Sequence, residues 1–155
     1  MERREFMALL GGAAALMPSM GNTAAHAGAP GEHHLAGTWS FVSSVNTRKD
    51  GSIVDRWGAN PRGMLMFDGA GHFSQIITGS ESRLFGAKTF AGFGTYTFDR
   101  ATGALSLTFT GCSIGKVVGQ VQERKIVLLT PDELKYVNPA TTSETIAEVL
   151  WKRLA

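Results

Sequence analysis

The side chains able to do chemistry in this chain are few and scattered. Cys112 is the single cysteine, so it forms no internal disulfide. It becomes a candidate nucleophile only if a histidine base folds against it. His72 is the one histidine far from the N-terminal end, and nothing in the spacing brings it to Cys112. A lone cysteine is more often a small buried apolar group. His72 itself follows Gly71 and reads as a turn histidine, or else as a polar group at the mouth of whatever interior the fold makes. His33 and His34, with His26 nearby, offer imidazoles of the kind that copper, zinc or nickel takes. No cluster of carboxylates or thiols completes a site around them, so neither a metal nor a cofactor is expected. Glu123-Arg124 is an adjacent opposite-charge pair. On a strand such a pair is usually part of a surface ladder and only rarely a buried dyad. Gly92-Phe93-Gly94 opens no helix and so is no phosphate loop, and no G-x-S-x-G elbow is present. What remains is Gln75, between Phe73 and Ile77 on one strand face, and Tyr96, between Thr95 and Thr97. These are polar groups set among apolar neighbours, suited to orienting a small molecule in a mostly apolar interior.

The elements that would position them begin after an export signal. Residues 1–27 run from Arg3-Arg4 through a short apolar stretch to Ala25-His26-Ala27, the order of a secretory signal. The paired arginines before Glu5-Phe6-Met7, and the glycine- and alanine-rich apolar stretch, resemble a twin-arginine signal, which exports folded proteins. The expected location is therefore periplasmic or secreted. The apolar stretch is shorter than the roughly 20 residues that span a bilayer, so no membrane insertion is expected after cleavage. Residues 28–34 read as a flexible tether and residues 35–155 as one domain. The net charge of +2, with basic residues scattered singly, argues against a nucleic-acid partner.

Within the domain the hydrophobic period is two, not 3.6. Residues 39–45 alternate and place Trp39, Phe41, Ser43 and Val45 on one face. Lys49-Asp50-Gly51 is a hairpin turn. Residues 64–67 and 72–78 flank a second turn at Asp68-Gly69-Ala70-Gly71. Residues 79–87 are expected to be the longest loop, with a helical turn near 80–85 the only helix candidate. Residues 90–98 read as a strand whose Gly92 and Gly94 invite a bulge. Leu105, Leu107 and Phe109 alternate inward. Residues 116–129 read as one long strand or two joined by a bend, 134–137 as a short one and 145–154 as the last. About eight to ten strands in succession predict an all-β, up-and-down antiparallel barrel, because closure removes the exposed edges. Eight strands leave an interior that is either filled by side chains or able to hold one small ligand.

Three segments carry a family resemblance: "GTWSFVSS", "KDGSIVDRWGANPRGMLMFDGAGHFS" and "LWKRL". Gly37-Thr38-Trp39 resembles the G-x-W opening of lipocalins. The spacing of Pro61, Gly63, Asp68 and Gly71 resembles, more closely, a bacterial and fungal lipocalin-like domain family. Two departures stand out: Phe41 replaces an aliphatic residue, and Phe93 stands where a small or tyrosyl residue is usual. The resemblance implies that Trp39 plugs one end of the barrel under Arg153, with Arg124 the second candidate for that arginine. It also implies a small hydrophobic ligand in the lumen, lined by Trp39, Phe41, Phe73, Gln75, Tyr96 and Leu107. Two other roles stay open: an isomerase or cyclase using Tyr96, His72 and Gln75, and a filled barrel acting as a protein-interaction module. The sequence assigns no reaction, no catalytic residue and no oligomeric state.

Overall fold

The computed structural model describes residues 34–83, 86–141 and 144–155. The export signal, His26 and His33 lie outside the described residues. Nine strands follow in chain order: β1 (Gly37–Thr47), β2 (Ile53–Val54), β3 (Arg62–Phe67), β4 (His72–Arg83), β5 (Gly86–Asp99), β6 (Ala104–Cys112), β7 (Val121–Leu129), β8 (Glu133–Asn138) and β9 (Ile146–Arg153). From β3 to β9 each strand pairs antiparallel with the next, and β1 pairs with both β3 and β9. The β1–β9 pairing runs from Trp39 opposite Arg153 to Thr47 opposite Ile146. It closes an eight-stranded antiparallel barrel, with β2 a two-residue extension on the far part of β1. The expected all-β, up-and-down barrel is the observed fold, and no α-helix occurs among the described residues.

Local chemistry sets the turns. Asp50 accepts from the Ser52 N–H at 2.9 Å, and Gly51 takes a φ of 83° that the tight turn requires. In the second hairpin, one Asp68 carboxylate oxygen accepts from the N–H groups of Ala70 and His72 at 2.9 and 2.7 Å. The other meets His72 Nδ1 at 2.8 Å. The Tyr96 hydroxyl donates to the Asp68 carbonyl at 2.6 Å, tying β5 to this turn. Gly94 is required by its surroundings: a Cβ there would lie 1.9 Å from the Thr108 carbonyl oxygen, where the β5–β6 register shifts.

The interior is apolar where it is packed. Trp39, Trp151, Phe109, Leu65, Leu105, Leu107 and Leu134 are fully buried. Edge-on aromatic pairs cross the interior: Phe41 on Trp151 at 5.4 Å joins neighbouring β1 and β9, while Phe73 on Phe109 at 5.0 Å and Phe67 on Tyr96 at 4.8 Å each span an intervening strand.

The structure departs from the sequence reading in four places. A bulge between Phe41 and Ser43 adds one residue to β1 opposite β9. The inward series therefore runs Trp39, Phe41, Ser44, Asn46, while Ser43 and Val45 face solvent. Residues 79–87 are no longer a plain loop: β4 continues to Arg83 and β5 starts at Gly86, because backbone pairing prolongs the hairpin past its apolar part. The helical turn expected near 80–85 is strand at 80–83, and its last two residues lie outside the described residues. The single long strand from 116 is a 3₁₀ turn at Gly115–Val117 followed by β7.

Candidate functional site

The barrel has one sealed end. It lies where β1 begins and β9 finishes. The Trp39 indole N–H donates to the Leu35 carbonyl at 3.0 Å. The Arg153 guanidinium lies over the same indole, its Cζ 4.0 Å from the ring centroid. A planar cation over an aromatic face is attractive, here worth about 1 kcal/mol. Arg153 also donates from Nη1 to the Ala36 carbonyl at 2.9 Å, from Nη2 to the His34 carbonyl and from Nε to the Pro131 carbonyl. Gly37 has a φ of 141°, and a Cβ there would lie 2.4 Å from Arg153 Nη1 and 2.7 Å from the Ala155 carbonyl oxygen. The glycine of G-x-W is thus the space in which the arginine reaches the tryptophan.

The opposite half of the barrel is hollow. Its cavity measures about 70 Å³. At roughly 10–15 Å³ per water, that is room for a handful of waters or a small molecular fragment. Ser44 and Asn46 of β1, Gln75 and Ile77 of β4, and Phe90 of β5 line part of the wall. Gln122 and Arg124 of β7, Tyr136 and Asn138 of β8, and Ala147 and Val149 of β9 line the rest. Arg56 and Trp57 from the segment after β2, Val117 from the 3₁₀ turn and Thr141 from the β8–β9 connection frame the rim. Among the described residues, no Asp or Glu lines the cavity.

A polar network forms one side. Arg124 Nη1 donates to its neighbour's backbone, the Glu123 carbonyl, at 2.8 Å, and to Asn138 Oδ1 at 3.0 Å. The buried Tyr136 hydroxyl lies close to Arg124 and Gln75. Burial pushes the Tyr136 phenol above its ordinary value, and the Arg124 cation pulls it partly back. Burial likewise draws the Arg124 guanidinium below its ordinary value, offset by Tyr136 and Glu123. The indole N–H of Trp151 lies beside the Tyr136 hydroxyl without reaching hydrogen-bond geometry, and is buried without a partner among the described residues. Asn46 is held by its own Nδ2, which donates to Ser44 Oγ at 3.0 Å.

Of the residues expected to meet a ligand, Gln75 stands in the cavity wall. Trp39 belongs to the sealed end, under Arg153. Phe41, Phe73 and Leu107 pack into the apolar core outside the cavity lining. Tyr96 is turned to the Asp68 turn. His72 is on that same turn, exposed and paired with Asp68. Cys112 ends β6 at the opposite end of the barrel from His72, which begins β4, and it packs against the core. Tyr96 and His72 therefore do not join Gln75 at the cavity. Glu123-Arg124 is split by the pleat: Glu123 faces out and accepts from Ser106 Oγ at 2.8–2.9 Å, while Arg124 faces in. The sequence reading passed over Arg124, Tyr136 and Asn138 as lumen groups. The signal was present, since period two counted back from the apolar Ile126 puts Arg124 and Gln122 inward, and counted on from Leu134 it does the same for Tyr136 and Asn138. Ser44 and Asn46 carried no such signal, because the β1 bulge reverses their phase.

A closed eight-stranded barrel, sealed at one end by a tryptophan under an arginine and hollow at the other, defines the lipocalin type of architecture. The lipocalin-like domain family matches residues 36–154, and the chain belongs to that family. Similar solved structures include a lipocalin-like protein from Bacteroides uniformis, at 18% identity over 77% of this chain and 98% of that one, TM-score 0.45. They also include bovine odorant-binding protein in complex with a selenium-containing odorant, at 18% identity over 78% and 71% of the two chains, TM-score 0.45. A designed fluorescence-activating β-barrel is similar at 15% identity over 76% and 92%, TM-score 0.43. No curated protein sequence matches the chain.

Proposed function

We propose that this protein binds a small, largely hydrophobic molecule in the open half of its barrel. The observation that carries this reading is the cavity opposite the Trp39 seal, with Ile77, Phe90, Val117, Val149 and Trp57 offering apolar contact. Apolar walls supply affinity, and a few placed polar groups set orientation. The filled-barrel alternative describes only the sealed half. At about 70 Å³, the cavity takes a compact ligand, or a longer one that keeps its far end at the rim between Arg56, Trp57 and Val117.

The same reading includes delivery to the periplasm. The Arg3-Arg4 head and the short apolar stretch that follows it support it. Native mass spectrometry of protein recovered from the periplasm, before and after organic extraction, tests both parts. A reproducible added mass that extraction removes is the expected result. A chain that stays unprocessed in the cytoplasm would count against export. A bare mass, joined to failure to take up any added apolar probe, would count against a binding lumen.

A further inference from the structure

The cavity wall contains a cation that no carboxylate among the described residues meets in an ion pair. Arg124 reaches it from β7; its hydrogen bonds go to the Glu123 carbonyl and Asn138 Oδ1, the Tyr136 hydroxyl lies close by, and the Glu123 carboxylate acts on it through space without forming an ion pair. The ion pairs among the described residues are His72–Asp68 and Lys135–Glu148, both remote from it. No described lining residue is acidic. Taking a cation out of water is costly unless a countercharge meets it. A guanidinium also has five donors in a planar fork. In Arg124 the described hydrogen bonds leave from Nη1 alone, so the fork keeps donors to spare.

We propose that the lumen ligand carries a carboxylate, and that Arg124 is the group that receives it inside the barrel. This rests on the reading of the cavity as a binding site and names the chemical class of its occupant. The acid head would lie against Arg124, with Asn138 and Gln75 as further polar neighbours. The apolar body would extend along Ile77, Phe90 and Val149 toward the rim. The fork geometry favours a planar two-oxygen acceptor, which a guanidinium meets with two parallel hydrogen bonds. No covalent step is involved.

The test compares octanoate, octan-1-ol and octylammonium, which share a chain and differ in the head group. Affinities are read by calorimetry at pH 7.5 for the unmodified protein, R124M, R124K and R100M. Arg100 lies in the exposed turn after β5, at the sealed end, and serves as the control. The expected order is octanoate tighter than octan-1-ol by about tenfold or more, with octylammonium weakest, as suits a charge-assisted hydrogen bond. R124M should bring octanoate to the level of octan-1-ol and leave octan-1-ol unchanged, R124K should keep part of the preference, and R100M should keep all of it. Octanoate affinity of the unmodified protein should fall as the pH drops below about 5, where the acid protonates, while that of octan-1-ol stays flat. Equal binding of the three probes by the unmodified protein would overturn the carboxylate assignment and leave lumen binding standing. So would a preference for octanoate that R124M retains. Binding of none of the three would overturn both. The unmodified-protein comparison and R124K decide the matter even if R124M fails to fold.

Discussion

The two halves of this barrel are made by the same strands and do opposite things. β1 contributes Trp39 and Phe41 to the sealed half, then Ser44 and Asn46 to the hollow one. β8 passes from Leu134 through Tyr136 to Asn138, and β7, read backwards, from Ile126 to Arg124 and Gln122. β9 tapers in size, from Trp151 to Val149 to Ala147. Each of these four inward series thus changes from large and apolar to small or polar as it crosses the barrel midline, whereas β6 stays apolar through Leu105, Leu107 and Phe109. Large rings at one level fill the cross-section. Smaller and polar groups at the next level leave a space and give it chemistry. Most of the fully buried side chains lie in the first half, and most of the polar lining groups in the second.

Mutations should separate the two halves. The largest effect is expected at the floor: Trp151→Ala or Trp39→Ala removes a fully buried indole and should cost about 3–5 kcal/mol of stability in urea unfolding. An effect as small as that of a surface change would show that the sealed half is not the source of stability. Next comes Gly37→Ala, which combines a φ of 141° with a collision against Arg153 Nη1 and should cost about 1–3 kcal/mol. It should also move the fluorescence of Trp39, because the guanidinium must leave the indole face. Tyr96→Phe, which cuts the bond to the Asp68 carbonyl, should cost about 1 kcal/mol.

The hollow half should behave differently. Arg124→Met removes a part-buried cation that forms no ion pair among the described residues, so the unfolding free energy should stay level or rise by about 1 kcal/mol while binding changes. A large loss of stability would show that Arg124 is structural. The smallest effect concerns acid. The Asp68 carboxyl is held below its ordinary value, chiefly by the His72 N–H. A lowered native value means that its stabilising contribution is complete above the ordinary carboxylate pKa of about 3.9 and is lost as pH falls through the lower folded one. The thermal midpoint of the unmodified protein should therefore fall slightly more than that of D68N between pH 5 and pH 2.

Much of the architecture was legible because period-two alternation and turn residues are local signals. Leu105, Leu107 and Phe109 could be oriented from their own strand, and Asp50-Gly51 and Asp68-x-x-Gly71 announce their hairpins. The candidate site was less legible. Arg124 was read with Glu123 as a charge pair, although the phase set by Ile126 turns the two to opposite faces. Asn46 lies beyond a bulge, and a bulge depends on how β9 pairs with β1, which is not a property of either strand alone. Trp57 and Arg56 reach the rim from a loop whose path depends on β2 pairing far along β1.

What the sequence by itself determined is the set of strands, most of their inward phases, and the Gly37–Trp39–Arg153 grouping that seals one end. The strands and their phases follow from side-chain alternation and from residue types that permit only certain backbone shapes, and the grouping follows from the family resemblance of the G-x-W and late W-x-R segments. Only the tertiary structure decided which end is hollow and which cation looks into it. Those properties depend on several strands at one level, where side chains brought together by barrel closure either fill the cross-section or leave it open.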